Sequence, residues 1–210
     1  MSAIIDHLVY ACPELDPAVE QIGALIGVRP AYGGQHLGLG THNALLALGP
    51  RTYLEIIAPD PGQRHPAESL PFGLGQLTAP ALRAWAAAPG DFDTAVRRSL
   101  TAGFDYGPVI VGRRRTADGL DLAWRMTSSS LRPGVAIAPF LIDWGSGPHP
   151  ADSAPAGAVL AEFRGRTRDP QRLAVQLEVL GLDVDIELSD RSELQATLTG
   201  PGGAELVLTS

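Results

Sequence analysis

The fold is decided by two short apolar stretches near the start of the chain, IIDHLVYA at residues 4–11 and TYLEIIA at residues 52–58. Each is interrupted by polar side chains, among them His7 in the first stretch and Glu55 in the second. Apolar runs of this length, bounded by proline and glycine, are typical of β-strands that are covered on both faces. A polar group inside such a strand needs a partner, because burying it alone is costly.

The segment between these two strands supplies a helix and two further strands. Apolar residues from Leu15 to Ile26 recur at the three- and four-residue spacing of one helical face, and Gly27 follows as a helix end. Strands are predicted over residues 29–32 and 43–48, with glycine-containing turns after them. The first sixty residues therefore have the element order β-α-β-β-β.

This order recurs after two linkers rich in proline and glycine. An Asp-Pro pair, Asp16-Pro17, is repeated as Asp169-Pro170, which supports internal duplication. We predict an α+β fold in which repeated βαβββ units form a half-open, barrel-like sheet with helices on the outside. The predicted divisions are a first unit at 1–60, a linker at 61–80, a second unit at 81–146 with a hairpin turn at Asp118-Gly119, a linker at 147–156 and a shorter third unit at 157–210.

Composition argues against several classes of protein. The net charge of −7 disfavours a nucleic-acid partner, since binding depends on neutralising phosphates. All 16 basic residues are arginine, so Schiff-base chemistry, pyridoxal phosphate attachment and the P-loop lysine are excluded. Cys12 is the single cysteine, which rules out an intrachain disulfide. No apolar run approaches the roughly 20 residues of a membrane span, so we expect no membrane partner and a cytoplasmic location.

His7 and Glu55 are the groups best suited to carry chemistry. The two-residue period of a strand places each of them on a face with aliphatic neighbours, and Tyr53 shares the face of Glu55. Together they could offset their burial by binding a divalent cation, Zn, Fe, Mn or Ni, that keeps open positions for water or substrate. The alternative is a buried, hydrogen-bonded His-Glu pair without a metal.

Four short motifs carry a resemblance to a known family: Asp6-His7-Leu8-Val9, Gly33-Gly34-x-His36, Gly40-Thr41-x-Asn43 and Tyr53-Leu54-Glu55-Ile56. They resemble the glyoxalase-like domain of the vicinal oxygen chelate superfamily. The resemblance implies a metal held by His7 and Glu55, with ligands from the paired unit, and a substrate that chelates the metal through adjacent oxygens. Lyase, isomerase and dioxygenase chemistry all occur on this fold, and fold membership does not choose among them.

The first strand of the second unit, around residues 82–86, departs from that pattern because it contains no histidine. A third metal ligand has to come from elsewhere, and His36 and Asp143 are the candidates. We predict His36 as that ligand and Glu55 as both ligand and catalytic base.

The predicted substrate-binding residues are Tyr53, Arg115, Arg125 and Asp143. One arginine of the run Arg113-Arg114-Arg115, or Arg125, could pair with a carboxylate or phosphate of the substrate. The alternative for the arginine run is a solvated strand end.

Two functions remain open from the sequence. The first is a metal-assisted enzyme that acts on a small oxygenated molecule. The second is a metal-free protein that binds a small molecule or sequesters a drug, which the missing histidine of the second unit favours. The odd number of units also allows a homodimer in which the cavity is shared between chains.

Overall fold

The computed structural model describes residues 2–116, 119–129 and 134–210. The hairpin turn predicted at Asp118-Gly119 falls partly outside these residues, at Asp118. The elements in chain order are β1 (Ile4–Ala11), α1 (Leu15–Ile26), β2 (Ala31–His36), β3 (Thr41–Gly49), β4 (Thr52–Pro59), β5 (Ala81–Ala88), α2 (Phe92–Thr101), β6 (Val109–Arg115), β7 (Asp121–Thr127), β8 (Phe140–Asp143), β9 (Val159–Thr167), α3 (Pro170–Leu180), β10 (Asp185–Leu188), β11 (Glu193–Thr199) and β12 (Glu205–Thr209). Within the described residues, no helix is both long enough and apolar enough to cross a membrane.

The first eight strands form a closed barrel in the order β1-β4-β3-β2-β6-β7-β8-β5. In each half the strand before the helix lies parallel to the last strand of the same half, β1 beside β4 and β5 beside β8. The two halves meet along antiparallel pairs, β1 with β5 and β2 with β6. The predicted α+β fold of βαβββ units is confirmed, and the curled sheet closes into a full barrel.

Strands β1, β3, β4 and β5 divide their side chains between an inner and an outer core. Leu8, Leu54 and Trp85 face outward and pack with α1 and the third unit. Val9 and Tyr53 face inward and pack with aromatic residues of the second half. This alternation gives the near-continuous apolar runs that mark strands covered on both faces.

The third unit has the predicted element order but a different strand pairing. Its strands form a separate sheet in the order β10-β9-β11-β12, in which β9 lies parallel to β10, the strand directly after the helix. It therefore does not add strands to the barrel. Leu194, Leu198 and Leu208 instead pack in the outer core, so the sheet covers the outside of the barrel.

Strand β2 runs further along the chain than the sequence predicts, through Gly33 and Gly34 to His36. A Cβ at Gly33 would overlap the guanidinium of Arg114, and one at Gly34 would overlap the carbonyl oxygen of Arg115. The glycines therefore allow β2 to approach β6 closely, and this approach closes the barrel.

Both linkers fold against the barrel. The first contains short 3₁₀ segments at Ala67–Ser69 and Pro71–Gln76, and the second one at Pro150–Asp152. Phe72 is buried with a left-handed backbone (φ 58°), and its carbonyl oxygen accepts a hydrogen bond from Nε of Arg83 at 3.2 Å. The linkers thus supply part of the wall around the space inside the barrel.

Candidate active site

A cavity inside the barrel brings together four of the predicted site residues: His7, His36, Tyr53 and Glu55. It encloses about 530 Å³ of space not filled by atoms, counting the part that is open to solvent. The rest of the wall is mostly apolar and includes Phe72, Trp124, Met126, Phe140, Ile142 and Trp144.

His7 is oriented by Asp6, its neighbour in the chain. Ile5 pairs with Ala87 and His7 with Ala86, so Asp6 is the extra residue of a β-bulge. The bulge lets Oδ1 of Asp6 lie 2.7 Å from Nδ1 of His7. Because an ionised carboxylate can only accept, His7 carries a proton on Nδ1, and in its neutral form the ring turns the lone pair of Nε2 toward the cavity.

Asp6 is buried and satisfied by three donors. Besides His7, it accepts hydrogen bonds from Nε1 of Trp144 at 3.2 Å and from Nε2 of His149 at 3.1 Å. Nδ1 of His149 accepts from the backbone N–H of Ala151, so Nε2 is the protonated nitrogen. Burial by itself would raise the pKa of Asp6, but the hydrogen bonds from His149 and His7 lower it to about 2. Asp6 is therefore ionised at neutral pH.

Asn43 on β3 links Glu55 to His36. Its Nδ2 donates to Oε1 of Glu55 at 2.6 Å and lies 3.2 Å from Nε2 of His36. Its Oδ1 accepts from Nη1 of Arg114 at 3.3 Å, and since a guanidinium only donates, this contact fixes which way the amide points. Nε2 of His36 is therefore an acceptor, and its Nδ1 donates to Oγ1 of Thr41 at 2.9 Å.

His36 is neutral in this arrangement. Burial lowers its pKa to about 4, against the opposing influence of Glu55 and with the help of Arg114. Its Nε2 lies 3.4 Å from Oε1 of Glu55, and the amide nitrogen of Asn43 contacts both atoms, at 3.2 Å and 2.6 Å. His36 is thus satisfied by protein groups alone.

The pair formed by His7 and Glu55 is not satisfied in the same way. Nε2 of His7 lies 3.8 Å from Oε2 of Glu55, and the ring of His7 stacks on Tyr53 with centroids 4.7 Å apart. With the proton of His7 on Nδ1, both facing atoms are acceptors. A positive or hydrogen-bond-donating group between them would complete the arrangement.

The second half of the barrel is apolar at the related positions. His7 pairs with Tyr53 between β1 and β4, and in the second half Ala86 pairs with Phe140 between β5 and β8. Ile142 lies two residues beyond Phe140, as Glu55 lies two beyond Tyr53. Within residues 2–116, 119–129 and 134–210, no three His, Cys, Asp or Glu side chains are arranged to hold a metal ion.

The structure places Arg114 at the cavity. Three of the predicted substrate-binding residues, Arg115, Arg125 and Asp143, lie outside it. Arg115 is exposed and pairs with Asp121 at 2.7 Å. Arg125 pairs with Asp143 at 2.7 Å on the outer surface, so neither of these two predicted residues reaches the cavity. The reason is register: His36 faces inward, Arg114 is its cross-strand partner on β6, and partners in a ladder share a face.

Sequence reasoning did not assign roles to three residues of this network, Asp6, Asn43 and His149, and it named Arg114 only as one member of the arginine run. Asn43 was visible only as a letter of a motif. Arg114 could have been found from the pairing of β2 with β6, had that pairing been known. Nothing in the local sequence indicates the bulge at Asp6 or the inward turn of the linker that carries His149.

Comparison with known proteins agrees with this architecture. A family model for a glyoxalase-like domain matches residues 5–181. A structure of a hypothetical protein from Staphylococcus aureus is similar with a TM-score of 0.60 and 13% identity, covering 97% of this chain and 84% of that one. Methylmalonyl-CoA epimerase from Mycobacterium tuberculosis gives a TM-score of 0.41 and 19% identity over 67% of this chain and 87% of that one.

A methylmalonyl-CoA epimerase solved with methylmalonyl-CoA and NH4+ gives a TM-score of 0.45 and 19% identity, covering 70% of this chain and 97% of that one. No curated protein matches the chain. The family match spans both halves of the barrel and continues into the third unit, and the chain accordingly belongs to the glyoxalase-like domain family of the vicinal oxygen chelate superfamily.

Proposed function

We propose that this protein is an enzyme that binds a small oxygenated molecule inside the barrel, with a divalent cation held by His7 and Glu55. The observation that carries the proposal is the pair of facing acceptors, Nε2 of His7 and Oε2 of Glu55, 3.8 Å apart in the cavity inside the barrel. Two lone pairs directed at each other in low dielectric repel unless positive charge lies between them.

The donor set fits a cation with open positions. Ligand distances in zinc sites are roughly 2.0–2.2 Å for imidazole and carboxylate, so two ligands of one ion lie within about 4.3 Å of each other. The separation of 3.8 Å meets that limit. Asp6 accepts the hydrogen bond that the second ring nitrogen of a metal-binding histidine usually donates. The predicted third ligand, His36, becomes available only if the amide of Asn43 moves aside.

A divalent cation bound by this pair, Zn, Fe, Mn or Ni, would supply Lewis acidity to adjacent oxygens of the substrate. The protein's own residues have separate tasks. Glu55 keeps Oε1 fixed by Asn43 and directs Oε2 toward the cavity, so as a base it would have to release the cation from Oε2 before that oxygen accepts a proton from a carbon next to a substrate oxygen. Tyr53 and the apolar wall exclude water from the reacting atoms.

A metal-free protein that binds or sequesters a small molecule is the second candidate. It is favoured by the apolar residues at the related positions of the second half, Ala86, Phe140 and Ile142, which add no ligand to the pair. In this case the gap between His7 and Glu55 would receive a hydrogen-bond donor of the ligand. Superfamily membership supports either a small-molecule enzyme or a binding protein.

Metal analysis separates the two candidates. The protein is purified without added metal, supplemented with Zn, Mn, Ni or Fe(II), desalted and analysed for bound metal. We expect about one equivalent in the wild type and in His65→Ala, which removes an exposed linker histidine, and none in His7→Ala or Glu55→Ala. A wild type that retains no metal, or variants that retain it fully, would reject the metal enzyme and leave the binding protein.

The homodimer and the cytoplasmic location remain proposals. Both halves of the barrel come from one chain, so the cavity is complete without a partner subunit. Sedimentation velocity on the wild type would measure the oligomeric state directly.

A further inference from the structure

Arg114 is a buried cation with unused hydrogen-bonding capacity. It is 4% exposed and lines the cavity. In the part of the chain that the structure describes, its guanidinium makes one hydrogen bond, at 3.3 Å to Oδ1 of Asn43, and no carboxylate oxygen lies within 4 Å of it. A guanidinium has five N–H donors, so most of its donors remain for something else.

Arginines that form ion pairs in the described residues do so on the surface. Examples are Arg29 with Glu20, Arg115 with Asp121 and Arg166 with Glu187. Arg114 differs because its charge is buried without such a pair. Burial of an unpaired charge is costly, and an arginine does not escape the cost by losing its proton. A fold that keeps this charge in the cavity wall provides a place for an anion.

The surroundings of Arg114 hold its guanidinium in place. Gly33 leaves the space that the guanidinium occupies, since a Cβ there would overlap Nη1 of Arg114 and Oδ1 of Asn43. The same Asn43 amide donates from its other end to Glu55 at 2.6 Å. Arg114 and Glu55 therefore lie on opposite sides of one amide group, and a small ligand can reach both.

We propose that Arg114 binds a carboxylate group of the ligand, so that the ligand is a small monocarboxylate whose oxygenated end lies at His7 and Glu55. This inference rests on the proposed function in one respect: the carboxylate and the oxygenated end of the ligand lie in the same cavity. A carboxylate suits the planar fork of a guanidinium and carries the single charge that one arginine balances. A phosphate dianion would add a second negative charge near Glu55 without a second cation.

The test compares benzoate with benzamide, which have nearly the same shape and differ in charge. Both probes carry an aromatic ring suited to the apolar, aromatic wall of the cavity. Binding is measured by isothermal titration calorimetry on chelator-treated protein, so that metal plays no part. We expect wild type and Arg113→Gln, an exposed arginine on the same strand, to bind benzoate at least tenfold more tightly than benzamide. Arg114→Gln should abolish the preference, and Arg114→Lys should keep it in weakened form.

A second readout does not depend on the folding of a variant. The Nε–H resonance of Arg114 in wild-type protein, assigned by its loss in Arg114→Lys, should shift with benzoate and stay in place with benzamide. Equal affinity of the wild type for both probes, or a preference that survives in Arg114→Gln, would overturn the inference. Because the protein is metal-free throughout, these outcomes are independent of whether His7 and Glu55 bind a cation.

Discussion

Asp6 and His7 are consecutive residues of β1 whose side chains meet, with Oδ1 and Nδ1 2.7 Å apart. Successive residues of a regular strand face opposite sides, so this contact depends on the bulge between Ile5 and His7. The bulge converts the neighbour of a cavity histidine into the group that sets its tautomer. The chemistry proposed for His7 therefore depends on a local irregularity of the backbone.

Asp6→Asn should destabilise the protein strongly. Three N–H donors, from His7, Trp144 and His149, converge on the carboxylate, and an amide oxygen cannot serve all of them. We expect the free energy of unfolding at pH 7 to fall by roughly 2–4 kcal/mol in urea titrations. Asp121→Asn, at an exposed ion pair, is the control and should lose clearly less; equal losses would contradict the role given to Asp6.

Asp6 also sets a limit on stability in acid. Its pKa is about 2 in the folded protein and 3.8 as the ordinary value, so the unfolded chain takes up the proton first as pH falls. Its contribution is present above about pH 4 and is lost between pH 4 and 2. The pH dependence of unfolding in that window should be shallower in Asp6→Asn than in wild type.

His36 predicts a separate loss of stability at milder pH. Its pKa falls from 6.5 to about 4 on folding, so between these values the unfolded chain binds more protons than the folded one. Stability should decline from pH 6.5 to pH 4, by an amount on the order of 3 kcal/mol. His36→Gln should flatten this decline, whereas His65→Gln in the exposed linker should retain it. The measurement is urea unfolding at half-unit pH steps.

Asn43→Asp should add a further carboxylate to the two proposed metal ligands, His7 and Glu55. The new carboxylate would lie between Glu55 and His36, where the amide now lies 2.6 Å and 3.2 Å from them. Under the proposed function we expect at least tenfold tighter Zn(II) binding in competition with a fluorescent chelator. Gln35→Glu makes the same change beside Asp60, away from the cavity, and should leave the affinity unchanged. An unaltered affinity in Asn43→Asp would contradict a metal at this place.

Gly33→Ala should disturb Arg114 and the barrel seam together. The added methyl group overlaps the guanidinium of Arg114 and the amide oxygen of Asn43, so we expect a loss of about 1–3 kcal/mol in unfolding free energy. The benzoate preference should weaken in the same variant. Gly49→Ala is the matched control, because the nearest heavy atom, Cβ of Thr52, lies 3.9 Å from the new methyl group. Similar behaviour of both variants would contradict the packing described for Gly33.

The local sequence pattern was sufficient to predict the strands and helices of the barrel, but it did not predict which strands pair with each other. The two-residue and 3.6-residue periods gave β1, α1 and β4 nearly to the residue. The third unit has the expected order of elements, yet β9 pairs with β10 rather than with its last strand. Strand pairing is decided by which apolar faces meet in three dimensions, and that information is not local.

The residues of the cavity also divide into those that the local sequence predicts and those that depend on strand pairing. His7, Tyr53 and Glu55 share the inner surface as their strand parity indicates. Arg115 was expected there and Arg114 is found, because the inward face of β6 is fixed by its register against β2 across a pair of glycines. Alternation within a strand shows which residues share a face of that strand. Only the pairing with the neighbouring strand shows which of the two faces points into the barrel.

The cross-strand pair of His36 and Arg114 lies where the two halves of the chain join to close the barrel. Asn43, which holds Glu55, and the guanidinium of Arg114 therefore come from different halves of the barrel. Neither half contains the whole pocket by itself, so the pocket forms only when the barrel closes. A fragment ending before β6 would carry the proposed metal ligands and lack the means to select their substrate.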